Sequence, residues 1–203
     1  MIQARARLEA VDELSDREAI ERCRNGDPGH VAFRCLYDRY SPEVFALLKR
    51  VLRGRGSVED ALQDVFLRVH RSLGGFDLTR PLRPWLLQIA RNVAIDALGA
   101  VKRTPVPVET EDDRLPPGPS HVIEDVAANE RREVIDEALA ALAPEPRILL
   151  ILRFRHGLTY DEIAETDGVT KRTVCNRLRA AVALLERELV RRGAASLALE
   201  VRP

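Results

Sequence analysis

Apolar residues recur every three to four positions along most of this chain, and no segment keeps a two-residue alternation for long. That periodicity predicts helices and no sheet. "REAIERCRNG" reads as a helix closed by Gly26. "HVAFRCLYDRY" puts Phe33, Leu36, Tyr37 and Tyr40 at helical spacing, and after the Ser41-Pro42 step "EVFALLKRVL" carries the pattern to Gly54. "SVEDALQDVFLRVHRSL" opens on Ser57 as N-cap, with Asp60 three residues on in a variant of the capping box. In "PWLLQIARNVAIDAL", Pro84 suits a first helical turn. Further on come a helix around 124–142, then "PRILLILRFRHG", "TYDEIAETDG" and "TKRTVCNRLRAAVALLERELVRRG".

One stretch interrupts the pattern. "TPVPVETEDDRLPPGPS" holds five prolines (105, 107, 116, 117, 119), a glycine and a run of acids, and cannot continue a helix. It predicts a solvated, semi-rigid linker. The expected organisation is all-α: a helical domain over 1–103, a linker over 104–123, and a smaller helical domain over 124–203.

Three helix faces depart from a plain inside-outside pattern. On the helix over 57–73, Ala61, Leu62, Val65, Phe66 and Val69 form the apolar face. Leu67 falls opposite, among Asp60, Gln63, Asp64 and Arg71. An apolar centre inside a polar ring is the composition of a docking patch; a boundary leucine under a loop is the plainer alternative. On the next helix Leu86, Ile89, Ala90, Val93, Ala94 and Ala97 make the apolar face, whereas Trp85, Gln88, Asn92 and Asp96 share a polar stripe. An aromatic ring beside amides and arginines suits stacking on unpaired bases; a ring capping the core from its edge is the alternative. In "TYDEIAETDGVTKRTVCNRL", Ile163, Ala164, Val174 and Leu178 point inward, Gly168 makes the turn and Thr170 N-caps the second helix. Arg172, Thr173, Asn176 and Arg179 then gather on the outer face. This is helix-turn-helix spacing, with a second helix suited to a major groove, set against an ordinary helical hairpin with a solvated basic face.

Composition narrows the classes. The 203 residues are 45% hydrophobic and 32% charged with a formal net charge of zero, so overall charge does not point to a polyanion. Its distribution does. Residues 80–103 hold Arg80, Arg83, Arg91, Lys102 and Arg103 against Asp96 alone, and residues 170–179 hold Lys171, Arg172, Arg177 and Arg179 with no acid. Residues 109–125 hold six acids against Arg114. Local basic patches fit contact with nucleic acid at chosen places. No apolar run approaches the ~18 residues of a membrane span, and the N-terminal "MIQARARLEAVDELSD" has no signal-peptide core, which predicts a cytoplasmic protein with no membrane insertion. Cys23, Cys35 and Cys175 match no zinc spacing and read as structural thiols. Walker, GxSxG and HExxH motifs are absent and the histidines are scattered, so neither an enzyme, a metal nor a cofactor is expected.

Taken together, these motifs resemble a known family. "SVEDALQDVFLRVHRSLGGFDLTRPLRPWLLQIARNVAIDAL" resembles the second conserved region of bacterial RNA polymerase sigma factors, nearest to the short extracytoplasmic-function (ECF) class. "LAPEPRILLILRFRHGLTYDEIAETDGVTKRTVCNRLRAAVALLE" resembles the fourth region. The likeness spans residues 16–103 and 130–192. It implies that Asp60, Gln63, Asp64, Leu67 and Arg68 contact core RNA polymerase. It assigns minus-10 promoter recognition and melting to Phe76, Asp77, Arg80, Arg83, Trp85, Arg91 and Asn92, with Lys102 and Arg103 on phosphates. Minus-35 recognition falls to Lys171, Arg172, Thr173, Asn176, Arg177 and Arg179. The acidic linker would thread toward the polymerase active-site channel and RNA exit path. Members are commonly held by an anti-sigma factor, which joins core polymerase and promoter DNA among the implied partners.

The chain departs from the family pattern at four places: "LGAVKR" replaces a denser basic run, Asp167 stands where an apolar residue is usual, Cys175 replaces a basic or polar residue, and "LRAA" replaces a more basic continuation. The expectation is an alternative sigma factor without catalytic activity of its own. Its competitors are a helix-turn-helix regulator that binds duplex DNA without polymerase, and a helical interaction module.

Overall fold

The computed structural model describes residues 14–27, 30–101, 126–194 and 196–197. All regular structure among them is helical. The chain folds into two compact units, one within Met1–Arg50 and Ser57–Ala97, the other within Val51–Gly56 and Leu98–Pro203. The expected linker over 104–123, and with it Lys102 and Arg103, lies outside the described residues.

The first unit opens with α1 (Asp16–Arg24). Ser15 caps it, accepting from the Glu18 amide while the Glu18 carboxylate accepts from the Ser15 amide, a full capping box. The helix ends at Asn25, and Gly26 follows in the left-handed region at φ 82°, as the sequence predicts. Ala19 and Ile20 are its buried residues. Arg39 and Tyr40 of α2 (Val31–Leu52) both hydrogen-bond Asp16, which ties α1 to α2. Burial, then that hydrogen bond, pushes the Tyr40 hydroxyl well above its ordinary pKa.

α2 runs unbroken through Pro42, so the Ser-Pro step is no boundary. Proline removes one helical hydrogen bond and crowds the preceding turn. Here Leu36, Tyr40, Val44, Leu47, Leu48, Val51 and Leu52 are buried on both sides of it, and packing of that face holds the helix together. α3 (Val58–Ser72) starts as predicted, with the Ser57 hydroxyl accepting from the Asp60 amide at 3.0 Å. A 3₁₀ turn (Leu73–Gly75) closes it. α4 (Leu82–Val101) begins two residues before Pro84, which still falls in the first turn. Its buried residues include Leu82, Leu86, Leu87, Ala90, Val93, Ala94 and Leu98. The buried arc therefore lies a little to one side of the predicted one: Leu87 is inside, and Ile89 and Ala97 are half-buried at its margin.

The second unit is built from α5 (Val126–Ala141), α6 (Pro144–Leu150), α7 (Tyr160–Asp167) and α8 (Lys171–Arg191). A π-helical turn, Ile151–Arg155, extends α6. α8 packs against α5, α6 and α7. Leu139, Ile148, Ile151, Leu158, Ile163, Val174, Leu178, Val182, Leu185 and Leu189 form the core between them. Two ion pairs fasten α5 at its rim, Arg155 to Asp136 at 3.1 Å and Arg192 to Glu137 at 2.6 Å.

Candidate polymerase and nucleic-acid interfaces

The outer face of α3 carries the pattern that the sequence predicts. Ala61, Val65, Phe66 and Val69 are buried, while Leu67 is 53% exposed. Asp60 and Gln63 are exposed and Asp64 is half-buried beside it. Leu67 is thus no boundary residue under a loop. Arg68 differs from the rest of the set. Its guanidinium reaches Asp64 at 2.9 Å and Asp96 of α4 at 2.9 Å. The hydrogen bond to Asp96 comes first among the causes that raise its pKa further. Asp96 is the far end of the Trp85 stripe, so Arg68 ties the Leu67 face to that stripe.

The segment before α4 is held by residues far apart in sequence. Phe76 is buried, and its ring lies 4.8 Å from that of Trp85 at an interplanar angle of 52°. Trp85 is half-buried: it sits off the main buried arc of α4 and rests on Phe76. Asp77 shapes the loop rather than extending from it. Its carboxylate accepts from the Thr79 amide at 2.9 Å and the Thr79 hydroxyl at 2.8 Å, an Asx-type turn. Those bonds, backbone first, hold its pKa below the usual carboxylate value. Arg80 is exposed, 3.7 Å from Asp77. Arg83 turns the other way, its fork gripping the Glu43 carboxylate on α2. Asn92 is exposed and Arg91, beside it, half-buried. Arg24, at the end of α1, donates to the backbone carbonyls of Leu73 and Phe76.

In the second unit the helix-turn-helix closes as the spacing predicts. Thr159 caps α7 through a full capping box with Glu162. Gly168 takes the left-handed conformation at φ 65°, which a side chain disfavours. Thr170 caps α8, its hydroxyl accepting from the Thr173 amide at 3.2 Å. Arg172, Asn176, Arg177 and Arg179 are exposed on the outer side of α8, and Thr173 is half-buried next to its cap. Two of the cations have internal acid partners. The Lys171 ammonium is 2.7 Å from Asp161 on α7, a hydrogen bond that raises its pKa. Arg177 lies 3.7 Å from Asp167, whose side chain is only 7% exposed.

The structure therefore joins Phe76 to Trp85 and Asp77 to Arg80, gathers four candidates on α8, and turns Arg83 and Arg68 partly inward. Sequence reasoning missed Arg24, Glu43 and Asp161. The first two act 40 or more residues away from their partners, so no local spacing announces them. Among the described residues no group of three or more metal-ligating side chains occurs, and no helix is long and apolar enough to cross a membrane.

Comparison with known proteins agrees with this layout. Residues 36–104 match Sigma-70 region 2, and residues 132–185 match Sigma-70, region 4. The chain is 34% identical over 161 residues to the RNA polymerase sigma factor CarQ of Myxococcus xanthus, covering 79% of this chain and 88% of that one. It is 30% identical over 162 residues to the ECF RNA polymerase sigma factor SigK of Mycolicibacterium vanbaalenii, covering 77% and 81%. Among solved structures it is similar in fold to the sigma factor RpoE of Bartonella quintana, solved with the anti-sigma factor NepR, at a TM-score of 0.59 and 20% identity over 77% of this chain and 96% of that one.

Proposed function

The chain belongs to the RNA polymerase sigma factors of the ECF class, and from that membership we propose how its surfaces divide the work. The protein binds core RNA polymerase and directs it to specific promoters. Residues 1–103 act as the region-2 domain and residues 124–203 as the region-4 domain, with 104–123 as the linker between them.

The Leu67 face docks on polymerase. Leu67 supplies the apolar centre, Asp60, Gln63 and Asp64 the polar rim, and Arg68 holds Asp64 in place. Trp85, Asn92, Arg91 and Arg80 face the separated strand of the minus-10 element, and Phe76 backs Trp85 from beneath. Asp77 holds the loop's shape, and Arg83 serves it from the Glu43 side. Lys102 and Arg103 follow on phosphates. α8 enters the major groove of the minus-35 element: Arg172, Asn176 and Arg179 offer donors and acceptors to base edges, and Lys171, Thr173 and Arg177 lie where phosphates pass. The protein has no catalytic activity of its own and works in the cytoplasm. An anti-sigma factor is a further partner, by analogy with the NepR complex.

The observation that carries this reading is the pairing, in one chain, of region 2 bearing an exposed Leu67 with region 4 bearing a capped helix-turn-helix. A duplex-binding regulator needs only the second. The deciding experiment adds the purified chain to core polymerase and maps transcript starts on fragmented genomic DNA. Initiation at sites sharing two spaced elements is expected. A holoenzyme that starts nowhere, beside free chain that binds duplex sites tightly alone, would overturn the reading in favour of the regulator.

A further inference from the structure

We propose that Arg24 is a positioning residue for minus-10 base recognition, latching the turn that carries Phe76 and so setting the place of Trp85. The inference rests on the minus-10 reading above. Arg24 closes α1, which lies outside the region matched to Sigma-70 region 2. Its Nε and Nη2 each lie 3.4 Å from the Leu73 carbonyl, and Nη2 also donates to the Phe76 carbonyl. One guanidinium thus holds both ends of the 3₁₀ turn between α3 and the promoter loop.

Buried Leu73 and Phe76 side chains anchor the two ends of that turn, and its middle stands open. Gly74 and Gly75 are exposed, and a side chain at either would meet nothing within 4 Å. The backbone bond across the turn, Phe76 amide to Leu73 carbonyl, is 3.3 Å long. Two glycines in open space give a soft hinge. The Phe76 ring sits immediately beyond it, against Trp85. Rotation about the hinge moves Phe76, and Phe76 is the support under Trp85. A charged donor to a carbonyl makes a strong hydrogen bond. The guanidinium adds a second nitrogen, Nε, on the Leu73 carbonyl and holds its donors in a fixed plane, whereas a lysine ammonium would meet the two carbonyls from one point on a flexible stem. A basic residue at the end of α1 also suits the helix dipole, but that role would hold for any cation and needs no contact with residue 76.

The test uses holoenzyme made with wild-type chain, Arg24→Ala, Arg24→Gln and Arg24→Lys. Each initiates on two duplex promoter libraries, one randomised across the minus-10 element and one across the minus-35 element, and transcripts are sequenced. Arg24→Ala is expected to flatten the minus-10 preference at one or two adjacent positions by about fivefold, a part of the discrimination that one base contact supplies, and to leave the minus-35 profile unchanged. Arg24→Lys falls between Arg24→Ala and wild type. Trp85 is the chain's single tryptophan, so its emission reports the same site in the free protein, and quenching by acrylamide should rise in Arg24→Ala. An Arg24→Ala holoenzyme with the wild-type minus-10 profile overturns the proposal, whatever happens to its melting temperature. Should Arg24→Ala fail to fold, wild-type profiles from both Arg24→Gln and Arg24→Lys overturn it equally. A wild-type holoenzyme that initiates with no minus-10 preference would instead defeat the underlying reading, and Arg24's role with it.

Discussion

The Asp167 carboxylate, nearly buried at the end of α7, lies 3.7 Å from the Arg177 guanidinium on α8. No basic residue stands in the last turn of α7 itself, so Arg177 supplies the cation that an acid at a helix C-terminus needs. A charge already facing an internal carboxylate is less free for a phosphate. Asp167→Asn is therefore expected to tighten holoenzyme binding to a minus-35 duplex, by roughly two- to fivefold, and to steepen its salt dependence by about one released counterion. Arg177→Ala should weaken binding less than Arg172→Ala or Arg179→Ala does. Fluorescence anisotropy across a salt series checks this, and equal losses at all three arginines would contradict it.

Arg68 predicts a coupling of a different kind. Its two contacts are partly exposed, with Arg68 39% and Asp96 62% accessible at the side chain, and such pairs contribute little. A double-mutant cycle of Arg68→Ala and Asp96→Ala in thermal unfolding should return a coupling of about 0.5 kcal/mol. The charge-swapped pair Arg68→Asp with Asp96→Arg should not recover it, because an acid at position 68 would face Asp64 one turn away. A coupling near zero would mean that the bridge does not persist in solution.

The helices were legible in the sequence because their signals are local. Ser57, Thr170, Gly26 and Gly168 each occupy the cap or turn positions that their chemistry predicts. The exposure of Leu67 and the displacement of Trp85 from the buried arc also follow from helical period alone. Pro42 misled only mildly: local rules place a step there, and burial of α2 on either side overrides it. What sequence reasoning left out are pairings at a distance. Phe76 reads as a loop aromatic free for a base until its ring is found against Trp85. Arg83 reads as a free cation until Glu43, 40 residues earlier, takes its fork. Spacing along a helix says which face a residue occupies, but not which acid from another helix shares that face.

Acid should weaken the end of α8. Hydrogen bonds from Arg191 and then Arg192 hold the Glu188 carboxyl down to about 2, against an ordinary 4.5. A depressed folded-state pKa contributes stability above the unfolded value, and that contribution fades as pH falls from about 4.5 through about 2. Glu188 also lies near the helix C-terminus, where a carboxylate is unfavourable without those cations. Thermal midpoints of wild type and Glu188→Gln should thus differ near pH 6 and converge towards pH 2. A difference that stays constant across that range would show that the Arg191 and Arg192 contacts are not what stabilises the carboxylate.

Leu67 gives the clearest functional separation. Its side chain is 53% exposed on a helix whose opposite face is buried, so replacing it should leave folding within about 0.5 kcal/mol of wild type. Asp60 and Asp64 flank it, and Leu67→Asp places a third carboxylate at the centre of an acidic rim, which desolvation on docking penalises heavily. Leu67→Asp is expected to weaken core polymerase binding by more than tenfold, on the scale of losing an interface hot spot. Leu67→Ala should lose less, and Arg68→Ala less again, because Arg68 is already occupied by two carboxylates. The affinity of the free chain for a minus-35 duplex should not change, since α8 belongs to the other unit. Titration of labelled chain into core polymerase, alongside duplex binding by the same variants, measures both. Loss of duplex binding with intact polymerase binding would reverse the assignment of the two faces.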